Sequence, residues 1–295
     1  MRPVVRSTSN KTDKLKRKSE TTHFPLDYSK QYMGDSLFSA GFPGKVLESP
    51  LYDNSKEYFY PEMVNGVHYN ISRINTYAPL YGYSQDYIMK RLDSLFYENI
   101  PGKILKQKEI SSQGVPGYDI LSITRRGDYQ RYQIYVTPLE VIIIKMGGTG
   151  DFVKTESDRF FNTFSFNTKK PAGWRTLNSR KGGFTIKMPV DLKISNDYID
   201  HAGGSELFQG MDLSDSSYYF VMKAVLHDFY YIEEDSFELN YLSKLLRDEL
   251  NMQKISDSLF SIDGHPAIHS VSTRDSSRFL HTRIIIKGAD YYLLG

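Results

Sequence analysis

The sequence predicts an α+β protein of two repeated domains, each an antiparallel sheet with packing helices, the second copy lacking its C-terminal helix. Three observations carry this. Short alternating apolar runs are separated by Gly, Pro and Asp turns, and connections this short join antiparallel neighbours. Amphipathic helical patterns interrupt those runs at few places. Sliding the chain by 150 residues puts Gly114 on Gly264, Pro116 on Pro266, Ile134 on Ile284 and Tyr69 on Tyr219, with Leu92 and Leu95 on Leu242 and Leu245. A fixed offset with matching turn residues is what a duplicated domain leaves behind.

The 295 residues suit two domains. Their expected bounds are 24–168 and 182–295, with a tail over 1–23 and a linker over 169–181. The tail Met1–His23 carries a net charge of +5 and almost no apolar residue, so disorder is expected there. Its cations lack the interleaved aromatics that stack on bases, and the whole chain is only +2. No specific nucleic-acid partner is therefore expected. No run of about 18 apolar residues exists, so no membrane-spanning helix is expected. With no cysteine, disulfides and thiol chemistry are excluded.

Phe24–Pro50 reads as an irregular lead-in, with a short strand at Lys45–Glu48 after the turn Gly41-Phe42-Pro43-Gly44. Tyr58–Tyr60 and Gly66–Tyr77 read as strands. In the second, Val67, Tyr69 and Ile71 alternate onto one face. Ser84 caps a helix to Asn99, whose Ile88, Leu92, Leu95 and Phe96 share a stripe. Ile104–Ile110 follows, then a turn at Gly114-Val115-Pro116-Gly117. Tyr118–Thr124, Tyr129–Thr137 and Glu140–Met146 form a meander. Val141–Ile144 is apolar on both faces, so this strand is central. Gly147–Gly150 turns the chain into a helix from Asp151 to Phe164, striped by Phe152, Phe160, Phe161 and Phe164.

Lys169–Lys181 is basic and apolar-poor and reads as the linker, holding the single tryptophan, Trp174. Phe184–Met188 opens the second unit. Strands at Leu207–Leu213 and Tyr218–Leu226 precede a helix over Glu234–Leu250, whose Phe237, Leu239, Leu242, Leu245, Leu246 and Leu250 share a side. Ile255–Ser261, Ile268–Thr273, Phe279–Lys287 and Tyr291–Leu294 complete it. Gly295 falls at the position matching Lys145, so no counterpart of the Phe-rich helix follows. The second sheet is expected to show the strip that helix covers in the first, a surface for interdomain or oligomer contact. The chain is accordingly expected to be a fragment.

Each unit resembles the PsbP/Mog1-like superfamily of α/β/α sandwiches. The resemblance rests on an opening strand ending in Pro (Gly183–Pro189), an amphipathic helix after an early strand pair and a Gly-x-Pro entry to a meander (Gly114-Val115-Pro116, Gly264-His265-Pro266). The fourth part is the ending Phe160-Phe161-Asn162-Thr163-Phe164. It implies that sandwich fold and a binding or assembly role, which most members have. It carries over no functional residue.

Candidate chemistry is sparse. Gly147-Gly148-Thr149-Gly150 sits where phosphate loops occur, yet lacks the Lys and hydroxyl of GxxxxGK[ST]. The seven histidines, 23, 68, 201, 227, 265, 269 and 281, are scattered; zinc needs three or four ligands fixed in space. No GxSxG is present. No catalytic residue, cofactor or metal is expected. Arg125, Arg126 and Arg131 form the most basic hairpin, and with Trp174 they are the candidate partner-binding residues. The expected function is a binding or scaffolding module at a bacterial cell envelope, outside the cytoplasm, taking a protein or glycan through Tyr-rich sheet faces; a cytoplasmic location is the alternative, because the N-terminus lacks the apolar core of a signal peptide. The alternative is a hydrolase with a site in the interdomain cleft near Trp174, which requires converging histidine and carboxylate side chains.

Overall fold

Residues whose side chains alternate between two apolar environments need a sheet covered on both faces, and the chain builds such a sheet twice but covers the two copies differently. A computed structural model describes residues 26–33, 37–51, 55–76, 83–169, 173–179, 183–195, 205–226 and 234–295. The tail 1–23, Tyr77 at the expected end of its strand, the ends of the expected linker and histidines 23, 201 and 227 lie outside the described residues.

The first unit is a seven-stranded antiparallel sheet. Its strands are β3 (Leu47–Pro50), β4 (Lys56–Phe59), β5 (Val67–Asn75), β6 (Lys103–Ser112), β7 (Val115–Ile123), β8 (Tyr129–Val136) and β9 (Glu140–Gly148), in the spatial order β3-β4-β5-β9-β8-β7-β6. Helix α1 (Gln85–Asn99) lies on one face. Ser84 caps it, its Oγ accepting the Tyr87 N–H at 3.1 Å. Ile88 and Leu92 pack on Ile120, Tyr132 and Ile134. Helix α2 (Phe152–Phe161) covers the other face with a small sheet of β1 (Ser29–Met33), β2 (Phe38–Phe42) and β10 (Ser165–Phe166). The Phe stripe is buried as its spacing predicts: Phe160 meets Tyr69 edge-on at 5.0 Å, and Phe164 stacks on Tyr135 at 5.4 Å.

The second unit repeats the sheet. Strands β13 (Lys193–Ile194), β14 (Glu206–Asp212), β15 (Ser217–Val225), β16 (Gln253–Ile262), β17 (His265–Thr273), β18 (Phe279–Lys287) and β19 (Asp290–Leu294) take the order β13-β14-β15-β19-β18-β17-β16. Helix α3 (Asp235–Glu249) corresponds to α1. The offset of 150 holds for α1 and α3, β5 and β15, β6 and β16, and β7 and β17. It holds for irregularities too. The bulge between Ile104 and Lys106 recurs between Lys254 and Ser256. The ion pair Arg73–Glu140 (2.6 Å) recurs as Lys223–Asp290 (3.0 Å). Among the described residues nothing corresponds to α2 in the second unit.

Five local expectations are corrected. The irregular lead-in holds strands β1 and β2. All five residues of β2 are buried, so Phe38-Ser39-Ala40-Gly41-Phe42 shows no period that would betray it. The turn expected at Gly114–Gly117 lies one step earlier, at Gln113-Gly114 (φ 50° and 87°), and recurs at Asp263-Gly264 (51° and 79°). Two successive positive φ angles are those of a type I′ hairpin. Pro116 then enters β7 before its pairing with β8 begins, where a missing N–H costs nothing on that side. Gly147 and Gly148 belong to β9; a Cβ on Gly148 would lie 2.3 Å from the Gly66 carbonyl oxygen. Their N–H groups serve the ladder, and the turn is confined to Thr149-Gly150. Within the expected linker, Arg175–Asn178 forms β11, paired with β12 (Thr185–Met188) in a separate hairpin outside the large sheet.

The fifth correction concerns the strip left without an α2. The β11–β12 hairpin covers part of it, with Phe184 and Met188 on Phe208, Val221 and Leu294. Beyond the hairpin, the positions of Asp119 and Arg131 hold His269 and His281, whose rings stack at 6.0 Å. Arg283 lies over Phe260. Polar side chains stand at these positions in both units, so this part of the face is polar in the second unit as in the first.

The recurring ion pair gives a test. Arg73 and Glu140 are both under a tenth exposed, whereas Asp290 is 30% exposed. Arg73→Ala is expected to cost about 3–5 kcal/mol by stranding a buried carboxylate. Lys223→Ala is expected to cost about 1 kcal/mol, its partner being wet. Urea unfolding of both variants checks this; equal losses would contradict it.

Candidate functional site

The expected site residues do not gather. Arg125 and Arg126 are exposed in the β7–β8 turn. Arg131 points the other way, into the join between sheet and α2. It donates to both oxygens of Asp119 (3.0 and 2.7 Å), to Ser157 Oγ (2.9 Å) and to Asp158, and its guanidinium lies over the Phe161 ring. It ties α2 down and is not open to a partner. Trp174 is 69% exposed and lines neither large cavity. Several tyrosines are structural: Tyr58, Tyr69, Tyr118, Tyr132, Tyr135 and Tyr292 are buried. Burial pushes the Tyr132 hydroxyl up to about 12, so it stays protonated.

The exposed apolar side chains lie instead on α3. The helical stripe splits: Leu239 and Leu250 are buried, but Phe237 is 71% exposed, Tyr241 52% and Leu245 42%. Two residues along a helix turn it by about 200°, so Phe237 and Leu239 face opposite ways. Phe237, Tyr241 and Leu245 then repeat every four residues as a second stripe, facing solvent.

That stripe leads into a cavity of about 940 Å³ between α3, the sheet and the first unit. Leu242, Leu246, Phe220, Ile284 and Leu293 form its apolar wall, and Leu245 joins wall to stripe. The first unit contributes Tyr83, Ser84, Gln85 and Pro138. Tyr83 stacks on Tyr87 at 4.4 Å. The units are held beside each other by Leu213, buried in the first unit's core, with Met211 packed against it.

A buried network fixes α3. Ser243 Oγ and Ser270 Oγ lie 2.6 Å apart, and Arg247 donates to Ser243 Oγ at 2.6 Å and to Asp257 at 2.9 Å. Lys254 pairs with Asp257 at 2.9 Å. In the first unit the matching positions, Asp93 and Gln107, are hydrogen-bonded to each other. Both units therefore pin the helix to the first strand of the meander at the same place.

A second cavity, of about 540 Å³, lies across the junction of the units. Its wall includes the Arg73–Glu140 pair, Arg175, Asp191, Lys193, Gln209 and Asp212. No histidine lines it, and its carboxylates are held: Glu140 by Arg73, Asp191 by Arg175, Asp212 by the Ser214 N–H. Among the described residues no group of three or more His, Asp or Glu side chains could hold a metal ion. No described helix is long and apolar enough to cross a membrane.

No protein-family model and no curated protein matches the chain. Among solved structures it is similar to a Pseudomonas aeruginosa protein of unknown function, at 15% identity over 45% of this chain and 90% of that one, with a TM-score of 0.28. It is similar to a Bacteroides thetaiotaomicron protein at 16% identity over 52% and 55% of the two chains, with a TM-score of 0.29. It is also similar to TplEi, an immunity protein of the T6SS of Pseudomonas aeruginosa, at 11% identity over 90% and 87%, with a TM-score of 0.24. At these scores the likenesses assign no function.

The network under α3 predicts an acid response. Burial raises the Asp257 pKa, and Lys254, Ser270 and Arg247 more than offset this, leaving it below the usual carboxylate range. A depressed folded-state value gives stability that is full above the unfolded value of about 4 and lost as pH falls through the folded one. Asp257→Asn should therefore melt lower at neutral pH, and the gap to wild type should close between about pH 5 and pH 2. Thermal melts across that range check it; a constant gap would contradict it.

Proposed function

We propose that the chain is a binding module that takes an apolar segment of a partner protein into the groove between α3 and the first unit. One observation carries this reading: Phe237, Tyr241 and Leu245 form a solvent-facing stripe that runs into a cavity of about 940 Å³. Large apolar side chains clustered on a surface mark interaction sites, whereas scattered ones do not. Their spacing at i, i+4 and i+8 suits a partner laid along the helix. Burying each contributes about 1.5–3 kcal/mol before the cost of association. The apolar wall favours a protein over a glycan in this groove. The layering of the first unit, helix, sheet, helix, supports grouping the chain with PsbP/Mog1-like modules.

The hydrolase alternative finds less support. The cleft near Arg175 has no histidine in its lining and its carboxylates are engaged. The binding reading uses rigid elements and needs no such set.

A photo-crosslinking amino acid at Tyr241, expressed in cells of the source organism, tests the proposal. The expected result is one protein adduct, lost when Phe237→Ser and Leu245→Ser are added. The melting temperature of the purified variant should change by no more than that of a surface substitution, about 0.5 kcal/mol equivalent. No adduct, or one that survives the two substitutions, would contradict it.

A further inference from the structure

Four strands end the two large sheets, and three of them are protected. The unpaired N–H and C=O groups of an edge invite another strand, which a short edge or a row of lysines discourages. β3 has four residues and β13 has two. β6 has ten, but carries Lys103, Lys106, Lys108 and Glu109. β16 also has ten, and among the described residues no strand lies outside it. At the offset of 150, Gln253, Ser256 and Ser258 stand where β6 has its three lysines, and Leu259 stands where it has Glu109. The one lysine of β16, Lys254, is tied to Asp257 at 2.9 Å. Ile255 and Leu259 are 51% and 52% exposed, and Phe260 is 36% exposed. The second unit has thus lost, on its longest edge, the charges that guard the same edge of the first.

The hairpin sets what this edge offers. Its turn, Asp263-Gly264, is of type I′, so Ile262 and His265 close it as a hydrogen-bonded pair. Alternation from that pair turns the N–H and C=O groups of Asp257, Leu259 and Ser261 outward, away from β17. The bulge between Lys254 and Ser256 leaves Ser256–Ile262 as the regular stretch. A two-fold axis through a sheet edge makes the two strands antiparallel and each residue set self-complementary. Centred on Leu259, it sets Leu259 on Leu259 of the other copy, Ser258 against Phe260 and Asp257 against Ser261. No like charges then meet directly. The strand is neutral, with one lysine and one aspartate. The same operation on β6 brings together two strands of net +2 each, three lysines against one glutamate. Charge therefore permits a second copy on β16 and opposes one on β6.

We infer that two copies of this chain associate through β16, edge to edge across a two-fold axis at Leu259, and join their second sheets into one continuous sheet. This goes beyond the groove on α3 and stands independently of it, because no residue of β16 lines that cavity.

Sedimentation of the full chain tests this. A shift from monomer to dimer is expected between about 1 and 100 μM, the range of a small interface. Leu259→Glu sets two carboxylates across the axis and should weaken the dimer about tenfold or more. The first copy carries glutamate at this position, so the fold accepts it and the melting temperature of the dilute chain should not move. Leu105→Glu, the same change at a 43% exposed leucine of β6, should leave the dimer intact. The absence of native cysteine adds a test of register. Leu259→Cys brings two Cα atoms to about 5.5 Å, within disulfide reach, and should cross-link on mild oxidation. Ser261→Cys, opposite Asp257 of the other copy, should not. A monomer at every concentration would overturn the inference and leave the edge to a strand of another protein. A dimer that Leu259→Glu leaves intact, one that Leu105→Glu also removes, or cross-linking as ready through Ser261→Cys would overturn it too. Phe237→Ser and Leu245→Ser should leave the dimer as it is, which separates this edge from the groove.

Discussion

A sheet with apolar side chains on both faces must be covered on both, and this requirement organises the molecule. Val141–Ile144 in the first unit is apolar to either side, and α1 and α2 supply the two covers. The second unit has the same sheet order and the same helix on one face, but no described counterpart of α2. It meets the requirement in part with the β11–β12 hairpin, whose Phe184 and Met188 pack with Phe208, Val221 and Leu294.

The duplication also accounts for where function can lie. Equivalent positions do different work in the two copies. Asp119 orients Arg131, which bonds α2, in the first; His269 and His281 stack on each other in the second. On the helices, the positions of Phe237, Tyr241 and Leu245 are Tyr87, Arg91 and Leu95 in the first copy. The apolar stripe is thus a property of the second helix, not of the fold. Both cavities lie where the units meet, because Leu213 and Met211 seat one against the other and leave space on either side.

Much of the fold was legible in the sequence, for reasons that can be named. Period-two alternation in Val67, Tyr69 and Ile71, turn glycines and the offset of 150 are local signals that survive without tertiary knowledge. Strand β2 was hidden because burial on all sides erases alternation. Strand β11 was hidden because its four residues are mostly exposed and polar and become a strand only by pairing with β12. The stripe on α3 is present in the sequence, but grouping Phe237 with Leu239 hides it, because their separation puts them on opposite sides of the helix. Arg131 looked like a surface cation because its partners Asp119 and Asp158 are remote in sequence.

Helix α3 of the second unit turns apolar side chains to solvent, while α2 of the first buries its phenylalanines. Hydroxyl-radical footprinting of the monomeric chain tests it most directly, because aromatic side chains react in proportion to their exposure. Phe237 and Tyr241 should be heavily labelled and Phe160, Phe161 and Phe164 protected in the same sample. Protection of Phe237 and Tyr241 to the level of the α2 phenylalanines would contradict it.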